Sequence, residues 1–331
     1  MPSFQDARGI ILANIKPLGE EMVPLADALG RVVTRDLAAP WDLPFCDNSA
    51  MDGFAVRSAD CSALPASLAV IGFLPAGGVE SAVVVTGCAV RIMTGAPIPQ
   101  GCNAIVPIEE TEEAGDRVII RERVQPRQHI RLRGADVATG AQFLAAGTRV
   151  RPAEIGMLAA MGKALVPVYR RARVAILSTG DELVELGECP ASGRVINSNA
   201  LSLAAAVRET GAEPVLIGIA RDDRGSHRDK ILEGFGCDAL VTSAGVSAGD
   251  RDLVREVMAE LGARELFWKV DIKPGGPTAF ATRGAKPVFS LPGNPVSTMV
   301  TFELLVKPAL LRMMGHHKVV RPFVRGILAE D

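Results

Sequence analysis

The sequence predicts an α/β multidomain protein, and three features carry that prediction. From Arg171 onward, short Val-, Ile- and Leu-rich runs alternate with helical stretches of ten or more residues, the pattern of an open, largely parallel sheet covered on both faces. Between Trp41 and about Arg133, Gly and Pro residues separate short apolar runs, as in a small β-rich domain. The 331 residues exceed what one compact core ordinarily holds, so two or three domains are expected.

In chain order, a helix runs through Ile15, breaks at Pro17 and gives way to a short helix near "LADALGR" and an extended "VVTRDL". Strands in the β-rich segment are expected at "SLAVIGF", "AVVV", "AVRI" and "DRVIIRE". "RPAEIGMLAAMG" reads as a helix with Pro152 in its first turn, and "VPVY" as the strand after it. Then come strand "RVAILS", helix "NALSLAAAVRETG", strand "EPVLIGIA", helix "SHRDKILEGFG", strand "DALVTS" and helix "GDRDLVREVMAELG". Strands "ELFWKV" and "KPVFSL" and one long helix from "PVSTMV" to "LLRMMG" complete the pattern.

Composition removes several function classes. With 36 Lys and Arg against 38 Asp and Glu, there is no basic field to hold a nucleic-acid backbone. No apolar run approaches the roughly 20 residues that span a bilayer, and the N-terminus lacks the layout of a signal peptide. The six cysteines form no Cys-x-x-Cys unit, so neither a zinc site nor a disulfide framework is indicated, and a reducing cytoplasm is the simplest setting. The Gly-x-Gly-x-x-Gly and P-loop signatures are absent where they would be needed.

Ligands of open α/β sheets sit beyond the carboxyl ends of the strands. There the sequence places "STGDEL", "ARDDRGS", "TSAGVSAGDRD" and "SLPGNPVS", with "KVDIKPGGPT" adding Lys269 and Lys273. Small residues let backbone N–H groups approach a phosphate or compact oxyanion. The carboxylates among them would repel that anion unless Mg²⁺, which takes oxygen ligands from both, lies between. Each acid also has a plain local reading: Asp250 as a helix N-cap, Asp181 and Glu182 in a first helical turn, Asp222 and Asp223 in a solvated turn. In the β-rich segment, Asp47, Asn48, Ser49, Asp52 and Thr94 stand ready to grip a polar heterocycle or oxyanion, or to form Asx turns in a rigid loop.

"DNSAMDGFAV", "RIMTGAPIP…NAIVPIE", "RLRGADV", "STGDELVE", "INSN", "TSAGVSAGD", "KPGGP" and "SLPGNPVS" occur in this order over nearly the whole chain. In these motifs the chain closely resembles the molybdopterin molybdenumtransferase family. The resemblance implies an elongated discontinuous α+β domain (1–40 with 134–170), a β-rich insert (41–133) and a molybdopterin-binding three-layer α/β domain (171–318). Residues 319–331 would begin a small C-terminal β domain whose remainder the sequence does not contain.

The implied reaction takes adenylylated molybdopterin and molybdate, with Mg²⁺, to molybdenum cofactor and AMP. Asp47, Thr94, Glu182, Asp222, Asp250, Asp252, Lys269 and Lys273 match the catalytic positions, and Glu182, Asp222, Asp223 and Asp250 make the expected metal set. Ser49, Asp52, Thr179, Gly180, Ser243, Gly245, Val246, Ser247 and Gly249 are the expected substrate contacts on the first loops, and Pro274, Gly275, Ser290, Pro292, Gly293 and Asn294 on the last. A homodimer is implied, with molybdopterin adenylyltransferase and molybdoenzyme maturation proteins as further candidate partners. Two other readings stay open: the sister adenylyltransferase step, and a non-catalytic molybdopterin-binding scaffold.

Overall fold

The computed structural model describes residues 1–78, 83–190, 192–244, 253–322 and 326. Packing divides the chain into two compact units, one of Met1–Arg35 with Ala145–Asp331 and one of Asp36–Leu144.

In the Asp36–Leu144 unit, β1 (Gly53–Val56), β2 (Ala66–Leu74), β3 (Cys88–Ile92), β4 (Ala104–Pro107), β5 (Thr111–Ala114) and β6 (Arg117–Ile120) form one sheet in the order β4-β1-β3-β2-β6-β5. Neighbours run antiparallel except β2 and β3, which are parallel. β1 is buried along its whole length, and a Cβ at Gly53 would lie 2.0 Å from the carbonyl oxygen of Val106 on β4. Glycine there lets two backbones close. β1 and β4 are not among the strands expected from sequence, because "GFAV" and "AIVP" are four-residue runs inside polar motifs. Of the expected strand "AVVV", residues 83–85 form no strand and Ala82 lies outside the described residues.

The other unit is organised by a six-stranded mixed sheet. Its strands are β7 (Arg173–Thr179), β8 (Glu213–Ala220), β9 (Ala239–Ser243), β10 (Arg264–Phe267), β11 (Ala279–Arg283) and β12 (Lys286–Leu291), in the order β8-β7-β9-β12-β11-β10. The first four in that order are parallel; β11 and β10 add an antiparallel edge. β11 is not among the strands expected from sequence, because "AFATR" is short and half polar.

Helices α1 (Phe4–Ala13), α2 (Pro152–Ala160), α3 (Ser198–Glu209), α4 (Arg224–Gly234), α5 (Leu253–Glu260), α6 (Pro295–Thr301) and α7 (Lys307–Met313) complete this unit. Successive residues of a strand face opposite sides of the sheet. Val174 and Ile176 of β7 join the core formed with α1, α3 and the α6–α7 segment, while Ala175 and Leu177 join the core formed with α4 and α5. Both faces are thereby covered, which explains why β7 reads as an unbroken apolar run.

The expected single final helix is interrupted by a π-helical turn at Phe302–Val306. Pro308 has no N–H to offer Leu304, and the wider turn absorbs the missing bond. "LADALGR" holds only a 3₁₀ turn at Leu25–Asp27, and Glu20–Pro24 instead pairs antiparallel with Leu165–Tyr169. Among the described residues no helix is long and apolar enough to cross a membrane.

Candidate active site at the carboxyl edge of the sheet

The loops leaving β7, β8, β9 and β12 emerge at one edge because these four strands are parallel. A bulge between β7 and β8 helps to aim them: Ile176 pairs with Leu216 but Leu177 with Gly218, and Gly218 takes a φ of +92°.

After β7 the chain does not enter a helix, contrary to one local reading of Asp181 and Glu182. Leu183–Val184 instead pairs in parallel with Val195–Ile196, and α3 begins only at Ser198. Gly180 has φ +135°, and a Cβ there would meet the Glu182 carboxylate at 2.2 Å. Glycine thus lets that carboxylate fold back over the chain. Asp181 and Asp222 tie this loop to the one after β8: the Asp181 N–H donates to Asp222 Oδ2 at 3.3 Å, and the Asp222 N–H to Asp181 Oδ1 at 3.2 Å. Arg221 fastens the same junction, donating to the Leu183 carbonyl at 2.9 Å. Asp223 is engaged as the N-cap of α4, its Oδ1 accepting from the Ser226 N–H at 2.8 Å.

A cavity of about 230 Å³ lies against these loops, lined by Glu182, Asn197, Asn199, Ser243, Ala244 and Gly293 among others. Its floor is a buried hydrogen-bond network: Ser178 Oγ donates to Asn197 Oδ1 at 2.9 Å and lies 3.1 Å from Ser243 Oγ. Asn197 also caps α3, accepting from the Ala200 N–H. Asn199 Nδ2 donates to the Gly293 carbonyl at 2.8 Å, pinning the last loop, while its Oδ1 is buried without a partner among the described residues. Thr242 Oγ1 on β9 is likewise buried and unpaired. Ser178, Asn197 and Asn199 were missing from the residues singled out in sequence. The signal was there in the alternate asparagines of "INSN" and in the polar end of an apolar strand.

In the last loop, Pro292 O accepts from Thr298 Oγ1 at 2.6 Å, and Asn294 caps α6 through bonds from the Val296 and Ser297 N–H groups. Ser290 is buried at the end of β12, beside Thr242 in register. Lys269 and Lys273 are exposed on the "KVDIKPGGPT" segment, with Pro274 also exposed and Gly275 buried. Gly275 holds φ +112°. The side chains of Thr179 and Ser243 are buried at strand ends. Gly245, Val246, Ser247, Gly249, Asp250 and Asp252 lie outside the described residues.

In the Asp36–Leu144 unit the two polar motifs are joined. Asp52 Oδ1 accepts from the Thr94 hydroxyl at 2.6 Å and the Thr94 N–H at 2.7 Å, which together hold its carboxyl below the usual range. Asp47 Oδ1 accepts from the Arg133 N–H at 2.7 Å. Ser49 Oγ donates to the Met51 carbonyl, and Asn48 Oδ1 is buried without a partner among the described residues.

Among the described residues no three His, Cys, Asp or Glu side chains are grouped as a ready metal cage. Mg²⁺ seldom needs one, since it binds through one or two carboxylates together with substrate phosphates and water. The exposed, oxygen-only donors of Glu182 and Asp222 suit it.

A mixed open sheet with a cavity past its parallel strands that mixes apolar and polar side chains, carried with a separate β-rich unit, defines an α/β protein of the kind that carries a ligand site at its strand ends. Residues 175–312 match the family model described as a probable molybdopterin binding domain, and residues 2–162 that of the MoeA N-terminal region, domains I and II. The chain is 40% identical to Molybdopterin molybdenumtransferase 2 of Mycobacterium tuberculosis H37Rv, across 99% of this chain and 84% of that one. It is 38% identical to the molybdopterin molybdenumtransferase of a Nostoc species, across 100% and 79%. A crystal structure of the molybdopterin biosynthesis moeA protein from Pyrococcus horikoshii OT3 superposes with a TM-score of 0.84 at 32% identity, covering 96% of this chain and 81% of that one. The chain belongs to the molybdopterin molybdenumtransferase family.

Proposed function

We propose that this protein transfers molybdenum from molybdate into adenylylated molybdopterin, releasing AMP and molybdenum cofactor, at the carboxyl edge of its mixed sheet. The observation that supports this most directly is the gathering around one cavity of Glu182 and Asn199 from the β7–β8 connection, Ser243 from the end of β9 and Gly293 from the loop after β12. Glu182 and Asp222 would hold Mg²⁺, with Asp250 a further candidate ligand. When bound, the ion supplies positive charge to the phosphoanhydride as AMP departs.

The chain's own groups bind and orient. Lys269 and Lys273 place positive charge where phosphate oxygens gain negative charge, and Asn199 steadies the Gly293 loop from beneath. Ser243 and the Asn199 Oδ1, which has no partner among the described residues, lie in the cavity wall and offer positions for polar edges of the pterin or ribose. We assign Asp47, Ser49, Asp52 and Thr94 to substrate contacts supplied by the β-rich unit, and a homodimer as the working assembly.

Incubating the purified chain with adenylylated molybdopterin, molybdate and Mg²⁺ should release AMP in a molybdate-dependent manner. Glu182→Gln and Asp222→Asn should each lower the rate at least tenfold and raise the Mg²⁺ needed. Undiminished release in both variants would remove the carboxylates from the reaction. Formation of adenylylated product from molybdopterin and ATP would move the protein to the sister step.

A further inference from the structure

A second cavity, of about 320 Å³, lies in the unit of Met1–Arg35 and Ala145–Asp331, at the edge of the sheet opposite the proposed reaction. Its wall includes Arg171, just before the start of β7, and Gly211, just before the start of β8. Six cations line it, Arg31, Arg149, Arg171, Arg208, Lys307 and Lys318, against the single carboxylate of Glu209. Arg31 is neutralised by Glu21 and Lys307 by Glu303. Arg149, Arg171, Arg208 and Lys318 have no ion pair among the described residues.

The ordinary account of such cations is that they complement helix ends. Arg208 lies in the last turn of α3, and the cavity also meets the end of α7 at Met314. Each helix C-terminus carries about half a negative charge, so two of them offset roughly one cation. With Glu209 offsetting one more of the four, about two positive charges stay uncompensated, on exposed side chains gathered around one concavity. Burial is the main cause holding His316, in the same wall, near neutral, and Arg149 adds to it, so the imidazole contributes no further charge at pH 7. The volume is at the small end of the about 300–1,000 Å³ typical of small-molecule sites. Guanidinium groups match the paired oxygens of a phosphoryl group.

We infer that this cavity is a second anion site, taking a phosphoryl-type oxyanion, free or carried on a small molecule, through Arg149, Arg171 and Arg208. It does not depend on the proposed transfer reaction, whose residues on this sheet lie at the other edge.

Isothermal titration at fixed ionic strength, with inorganic phosphate and separately with AMP, tests it on the full chain. Wild type and Lys273→Ala should both bind saturably, while Arg149→Gln/Arg208→Gln should bind at least tenfold more weakly with an unchanged melting temperature. AMP binding tenfold tighter than phosphate in the Lys273→Ala background would identify a nucleotide as the source, and equal affinity the free oxyanion. Equal affinity of wild type and the double variant, or no saturable binding by wild type, would overturn the inference. Should the double variant melt early, the single Arg149→Gln and Arg208→Gln variants, each expected to bind severalfold more weakly, give the same reading.

Discussion

Gly275 offers a way to test whether the segment carrying Lys273 is held by close packing. It sits at φ +112°, and a Cβ there would lie 2.4 Å from Thr301 Cγ2. Thr301 cannot easily turn away: it is fully buried, and its hydroxyl donates to the carbonyls of Ser297 at 2.8 Å and Thr298 at 3.1 Å. Gly275→Ala therefore brings two separable penalties. The backbone conformation costs about 1–3 kcal/mol for a residue with a Cβ, and overpacking against the Thr301 methyl about 1–3 kcal/mol more. Thr301→Ser keeps the hydroxyl and removes the methyl; alone it should lose about 1 kcal/mol.

In the double variant the overpacking part disappears while the backbone part stays, giving a coupling energy of about 1–3 kcal/mol in the direction of rescue. The assay is urea unfolding followed by tryptophan fluorescence in a Trp41→Phe background, so that Trp268 alone reports on its own unit. A Gly275→Ala shift of less than about 0.5 kcal/mol, or simple addition of the two substitutions, would refute close packing of Gly275 against Thr301. AMP release by Gly275→Ala should fall as well, because Lys273 is two residues away on the displaced segment.

Three further outcomes are expected. His316 is pushed down to about 4, first by burial and then by Arg149 and His317, so the unfolded chain takes up a proton that the folded one refuses. Stability should thus fall as pH drops from 6.5 toward 4, by about 1–2 kcal/mol once solvent screening of the exposed ring edge is allowed for; His316→Gln should flatten that slope in urea titrations, and an unchanged slope would exclude the imidazole as its source. Burial tends to raise the Asp238 carboxyl, but two bonds from Arg170, at 2.8 and 2.7 Å, and one from the Arg173 N–H outweigh it and hold it low. Asp238→Ala should lose about 1–3 kcal/mol, a deficit full above the ordinary carboxylate pKa and shrinking as pH falls through the lowered one. Asn199→Ala frees the Gly293 loop and should raise the KM for adenylylated molybdopterin severalfold with a smaller change in kcat; a pure kcat effect would place Asn199 in the chemistry instead of beneath it.

Much of the α/β unit was legible in sequence because its strands are buried on both faces and so appear as continuous apolar runs, with helices between them of the expected length. β7, β8, β9 and β12 fall within a residue or so of the expected runs. The positions of Glu182, Asp222 and the "SLPGNP" loop past those strand ends followed from parallel topology alone. β1, β4 and β11 were not legible, since four- or five-residue strands owe their existence to neighbours distant in sequence. Nor does local pattern foretell that "STGDEL" leads into a short parallel ladder before any helix.

By itself, then, the chain's order of small, acidic and apolar residues determined which loops would carry oxygen donors and which family the motifs resemble. Tertiary structure decided how those donors are spent: Asp223 on a helix cap, Asp52 on Thr94, Asp181 and Asp222 on each other's backbone, and Asn199 on Gly293. It also decided that four cations without partners among the described residues meet around one cavity at the far edge of the sheet. Hydrogen bonds and charge clusters depend on distances across the fold, and residues 59 apart in sequence, such as Arg149 and Arg208, acquire a common surface only when the sheet and its helices have packed.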